Sequence, residues 1–166
     1  MSSRPNLIVL PGHADRPRPE VHFCGHCGRA PEIADIMPAS RVCDRCGLGL
    51  LLSAPAEAAP SPADPFLLID GTLSVCAVSR LAEDLLHVSE TEAVNRHVTD
   101  LLVPADAEAS GPESLVNLVV HAARGEGETH DVVLRPADQF GIRFWARVGP
   151  CGPPRAALLV LADGRA

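Results

Sequence analysis

Cys24-Gly-His-Cys27-Gly28 and Cys43-Asp-Arg-Cys46-Gly47 are two matched stretches, with fifteen residues between their cysteine pairs. A C-x-x-C turn presents two thiolates to one ion, and a tetrahedral structural zinc needs four such ligands. The intervening chain is long enough to leave one knuckle and return with the other. Glycine after each second cysteine tolerates positive φ where the knuckle turns, and frees backbone N–H groups to approach sulfur. Cys24, Cys27, Cys43 and Cys46 are therefore expected to hold a structural zinc in a ribbon over residues 20–53. Glu20-Val-His-Phe23 and Leu48-Gly-Leu-Leu-Leu52 read as its strands. So small a ribbon cannot fold on buried surface alone, so the metal must supply the folding energy.

Other readings of these residues fit less well. A thioredoxin-like thiol pair sits between a strand and a helix N-terminus, and no βαβ pattern surrounds either pair. Disulfides need an oxidising compartment. The apolar run Leu7-Ile-Val-Leu10 is too short for a secretory signal, and no run is long enough to span a membrane. The expectation is a cytoplasmic protein with no membrane partner. His22 and His26 flank the first pair and are expected to be bystanders, and Arg29, Arg41 and Arg45 to offset the charge of four thiolates.

Working outward, residues 1–19 are rich in Pro and Arg without periodicity and read as a mobile tail. Residues 54–64 are a Pro/Ala-rich linker, semi-rigid by composition. The chain has 166 residues, 46% of them apolar, with one Trp and no Tyr, so the core must be aliphatic. Every one of the fourteen basic residues is arginine, which with abundant Ala and Pro reads as the composition of a bacterial source. The net charge of −7 arises after residue 54, where eight Arg face sixteen acids. An acidic body beside a nearly neutral ribbon releases few counterions, so nucleic-acid binding is not expected.

Beyond the linker, Phe66-Leu-Leu-Ile-Asp70 and Leu73-Ser-Val-Cys-Ala-Val78 flank a Gly71-Thr72 turn and predict a hairpin. Ser79 caps a helix carrying Leu81, Leu85 and Leu86. Ser89 with Glu92 makes a capping box for a second short helix, and Thr99-Asp-Leu-Leu102 suggests a further turn. A longer helix over 112–124 begins at Pro112, and Gly125 ends it. Strands follow over 129–135, 141–148 and 156–161. The predicted class is α+β, with five strands in one antiparallel sheet and helices on one face.

This order resembles a PAS domain over residues 65–163. The likeness rests on Pro65-Phe-Leu-Leu-Ile-Asp70, Val78-Ser-Arg-Leu-Ala-Glu83, Leu85-Leu86 with Arg96-His-Val-Thr-Asp-Leu-Leu102, and the closing Arg143-Phe-Trp-Ala-Arg147 and 158–161 strands. His87 and Asn95 stand where the family often has glycine. The resemblance implies a sensory or interaction module with a cavity between sheet and helices. An unidentified small ligand there would meet Leu68, Leu101, Leu115, Leu118, Val119, Val133 and Phe144. His121, on the long helix, falls about a third of a turn from the centre of the apolar face at ~100° per residue, so haem is not expected.

Strand alternation places Ile142, Phe144, Ala146 and Val148 toward the helices, with Arg143, Trp145 and Arg147 on the opposite face. The neighbouring strands are apolar on both sides, and an apolar outer face does not stay in water. The ribbon, the linker or a second subunit is expected to cover it, making Arg143, Trp145 and Arg147 a face for a protein partner or homodimer. Cys76 reads as a buried, inert thiol and Cys151, in a proline turn, as an exposed one. Phosphate-binding glycine loops, H-E-x-x-H and G-x-S-x-G are absent from the sequence, and a closed four-cysteine zinc cannot activate water. No catalysis is expected. The function implied is a small sensor or adaptor; a nucleic-acid-associated adaptor using the ribbon and a thiol/zinc redox sensor are the alternatives.

Overall fold

The computed structural model describes residues 19–31, 41–105, 114–126 and 128–163. Most of the expected N-terminal tail, together with Pro112, lies outside them.

Ribbon strands β1 (Glu20–Cys24) and β2 (Leu51–Pro55) pair antiparallel, with Phe23 opposite Leu52 and Cys24 opposite Leu51. A six-stranded sheet follows, in the order β4-β3-β8-β7-β6-β5. Its strands are β3 (Phe66–Ile69), β4 (Val75–Val78), β5 (Leu102–Pro104), β6 (His130–Pro136), β7 (Phe144–Cys151) and β8 (Ala156–Asp163). Every neighbouring pair is antiparallel. The architecture is α+β, with one more sheet strand than the sequence reading allowed. The extra strand is β5: after a 3₁₀ turn at Val98–Asp100, Leu102 pairs with Pro136 and Pro104 with Leu134. Three residues ending in proline carry no alternation, and an edge position is where proline is tolerated.

The helices α1 (Arg80–Leu86), α2 (Glu90–Ala93) and α3 (Leu115–Ala123) start at serine caps Ser79, Ser89 and Ser114. In α2 the backbone N–H of Ser89 donates to Glu92 Oε2 at 3.1 Å, as a capping box requires. His87 and Asn95 both adopt the left-handed conformation, at φ 53° and 68°. These are the two positions at which the sequence resemblance leads one to expect glycine often.

Alternation along the central strands builds two cores. Leu67, Ile69, Phe144, Ala146, Leu159 and Leu161 meet Leu115, Val119 and Ala122 of α3 on one face. On the other face Phe66, Leu68, Leu158 and Val160 are equally buried, beneath Phe23 and Leu52 of the ribbon. The Phe23 and Phe66 rings meet edge to face, 5.9 Å between centroids. Ile142, expected on the helix side, is exposed and precedes β7. That strand instead runs on to Cys151, because Gly149, Pro150 and Cys151 pair with Leu158, Ala157 and Ala156. Consequently Cys151 is buried, whereas Cys76 is exposed, reversing both expectations. Burial pushes the Cys151 thiol up to about 12.

Candidate metal centre and the seam beneath it

Each cysteine pair closes in the same way. Gly28 N–H donates to Cys24 O and Gly47 N–H to Cys43 O, both at 2.9 Å, with φ near +70° at the two glycines (71° and 67°). The two knuckles are thus copies of one turn, and positive φ at its last residue is what glycine supplies. Gly25 N–H on Leu50 O at 2.8 Å ties the first knuckle to the chain leaving the second, and Cys43 N–H on Gly49 O at 2.7 Å closes the second knuckle on itself.

All four sulfurs fall within 4.8 Å of one another. Cys24 Sγ lies 3.6 Å from Cys46 Sγ, and Cys27 Sγ 4.0 Å from Cys43 Sγ. A tetrahedron with metal–sulfur bonds of ~2.3 Å has edges of ~3.8 Å, so these separations suit one central ion. They are too long for disulfides, and all four cysteines are free. Cys24 and Cys43 are buried, while Cys27 and Cys46 are half-buried.

Backbone donors line the sulfurs. His26 N–H and Cys27 N–H approach Cys24 Sγ at 3.4 and 3.5 Å, and Gly49 N–H approaches Cys46 Sγ at 3.5 Å. Burial raises the pKa of Cys24 and of Cys27 above the ordinary thiol value. At Cys46 burial acts the same way but is outweighed by N–H groups of Gly49 and Leu48 and by the neighbouring thiols, which bring it down to about 6. A cation at the centre would hold all four as thiolates.

His22 is exposed on β1. His26 turns its Nδ1 toward Glu90 Oε2 of α2, 3.8 Å away, and stands outside the sulfur cluster. Arg41, expected to offset thiolate charge, donates instead to the backbone carbonyl of Pro153 in the β7–β8 turn. Nearby, Ser53 and Gly152 exchange two backbone hydrogen bonds, at 2.6 and 2.9 Å. The ribbon is therefore stitched to the end of the sheet as well as packed on it.

Between knuckles and sheet runs a cavity of about 420 Å³. Leu50, Leu52 and Leu68 form its apolar walls, with His26, Asp70 and Glu90 among its polar groups. The sequence carried no sign of it, since its two walls lie on modules far apart in the chain.

The residues expected to line a helix-side pocket divide between the two faces. Leu101, Leu115, Leu118, Val119 and Phe144 belong to the helix-side core. Leu68 lies on the opposite face, under the ribbon. Val133 also points away from the helices, since it pairs with Trp145, and Val132 takes the inward position. Both placements follow from the strict period of two. His121 is on the exposed side of α3, its Nδ1 3.4 Å from Glu126 Oε2.

The three residues expected to form an interaction face also part company. Trp145 is 56% exposed. Arg143 is exposed just ahead of β7. Arg147 is half-buried and turned to the segment after the ribbon, donating to Ala59 O at 3.0 Å, Asp64 Oδ2 at 3.1 Å and Ala58 O at 3.4 Å. It clasps chain to sheet, a role that alternation alone could not reveal.

No family model matches the sequence, and no curated protein matches it. Among solved structures, the chain is similar to the PAS domain of a protein from Colwellia psychrerythraea. The TM-score is 0.46 at 20% identity, covering 60% of this chain and 85% of that one. It is also similar to the PAS domain of nitrogen regulation protein NR(II) from Vibrio parahaemolyticus, with TM-score 0.42 and 17% identity over 60% and 88% of the two chains.

Proposed function

We propose that this chain is a non-catalytic regulatory adaptor of the PAS type, carrying a structural zinc ribbon, that engages a protein through the open part of its outer sheet face. Four thiolates at tetrahedral spacing with N–H donors and no vacant position favour zinc in a closed, structural role. The observation that carries the reading is Trp145. It stands 56% exposed on the same face whose other half is buried by the ribbon. Phe140 and Ile142 lie exposed in the chain just before it. A large aromatic beside apolar neighbours and an arginine is the composition of an interface centre. The helix-side interior, with Leu115, Leu118, Val119 and Phe144, is apolar, so any small ligand there would be apolar too.

A photo-crosslinking residue placed at 145 is expected to capture one discrete protein in cells, either a second copy or a distinct partner. The same residue at exposed Val42, on the ribbon, is the reference. Equal, diffuse capture at both positions rules out the Trp145 face. Trp145→Ala should abolish the association while shifting stability by no more than ~0.5 kcal/mol. A native mass spectrum is expected to show one zinc per chain, and a discrete extra mass would reveal an interior ligand.

A further inference from the structure

The cavity of about 420 Å³ between ribbon and sheet has the size of a small-molecule site and lies on the face of the sheet away from α3. Its walls come from three distant parts of the chain: the knuckles, the β3–β4 hairpin with the start of α2, and the β7–β8 turn. Leu52 and Leu68 line it from the core side and are buried. Leu48 and Leu50 line it from the knuckle side, 73% and 45% exposed. The described residues leave these two aliphatic side chains in water beside a recess that an apolar group would fill.

The ionisable groups of the cavity do not balance. Arg155 commits its guanidinium to Arg124 O at the end of α3, 3.2 Å away. Asp70 Oδ1 accepts from the Thr72 hydroxyl at 2.7 Å, from Thr72 N–H at 2.8 Å and from Ser74 N–H at 3.0 Å. Burial raises the pKa of this carboxyl, but the three bonds together bring it below the ordinary value. Its Oδ2 takes no hydrogen bond among the described residues. Glu90 Oε1 accepts from Val78 N–H at 3.2 Å, while Oε2 has only His26 Nδ1, 3.8 Å away and beyond hydrogen-bond reach. Two carboxylate oxygens are thus left for a donor. Among the described residues only the four cysteines bring three or more ligand atoms together, so a metal ion is not the cation these carboxylates suit.

We propose that the seam between ribbon and sheet binds a small amphipathic amine, its apolar body among Leu48, Leu50, Leu52 and Leu68 and its ammonium on Glu90 and Asp70. An ammonium N–H on a carboxylate makes the stronger, charge-assisted kind of hydrogen bond. The chain's net −7 favours the approach of a cation in the same sense. The ribbon is then one wall of a receptor as well as a cover for the sheet.

Cys76 supplies the readout, because its exposed thiol lines the same cavity. Its alkylation rate in the full chain, followed by peptide mass, reports occupancy. Phenylbutylamine is expected to slow that rate. Methylamine, which lacks the apolar body, and phenylbutanol, which lacks the charge, should each need roughly tenfold higher concentration for the same effect. Phenylbutyrate should give no protection. Glu90→Gln keeps an amide oxygen for Val78 N–H, and Leu48→Ser changes a side chain already in water. Each should weaken protection by phenylbutylamine roughly five- to tenfold while the unfolding midpoint stays unchanged. An alkylation rate that phenylbutylamine does not alter overturns the site. Equal slowing by the amine, the alcohol and the carboxylate overturns the amine as ligand. Protection that survives both substitutions means that the probe covers Cys76 from elsewhere, and the site falls with it. Cys151 is buried and should stay unmodified in every arm; its labelling would reveal unfolding by the probe and overturn the reading. The readout uses neither the metal nor Trp145, so failure here leaves the proposed function standing.

Discussion

At the residue scale, Ser79 shows how one side chain can serve two elements. It is the buried polar residue among the described ones, its hydroxyl accepting from Ala82 N–H at 3.3 Å and from Phe66 N–H at 2.9 Å. It therefore caps α1 and ties the start of β3 to it. Ser79→Ala leaves the Phe66 amide buried without its acceptor and strips the cap. Urea unfolding should show a loss of roughly 1–2 kcal/mol. The cap was legible in the sequence, because a serine before helical periodicity has few other uses. The second bond was not, since it joins residues thirteen apart in sequence, on β3 and at the start of α1. His87 and Asn95 were legible only by analogy, as glycine positions filled by something else; their left-handed backbone is tolerated rather than preferred.

At the element scale, the knuckles were the most readable part of the chain. Thiolate chemistry demands a fixed ligand count, and C-x-x-C spacing has few alternative meanings. Gly49 was not singled out, although its space is the tightest in the site. A Cβ there would collide with Cys24 Sγ and stand 2.8 Å from His26 Cβ, while the Gly49 N–H serves Cys46. Gly49→Ala should weaken metal binding by roughly 10–100-fold in competition with a chromophoric chelator, with the sheet intact. The hairpin, the caps and α3 were likewise legible from periodicity. Strand ends were less so: β7 passes straight through Pro150, and β5 is too short to alternate. The two misplaced thiols follow from that single boundary on one side and from the edge position of β4 on the other.

At the scale of the whole molecule, the sequence predicted that something must cover the outer face without saying what. Alternation identifies a two-sided apolar strand, but the identity of its partner depends on contacts between residues far apart in sequence, 83 to 89 apart for Arg147. Arg147 is the clearest example. Its guanidinium grips backbone carbonyls of Ala58 and Ala59, which have no side-chain signature to read. Arg147→Ala should lower global stability by roughly 1–2 kcal/mol, since the clasp is only partly shielded from solvent, and leave zinc affinity unchanged in the same chelator competition. The bridge between Ser53 and Gly152 carries a consequence for biosynthesis. A ribosome delivers residues 20–55 long before residues 144–163, at roughly 5–20 residues per second. For several seconds the nascent ribbon has its cysteines but no sheet to rest on, and β3 has its edge-side neighbour β4 but not its inner neighbour β8. Metal capture can therefore precede docking, and the last strand to emerge completes both cores at once.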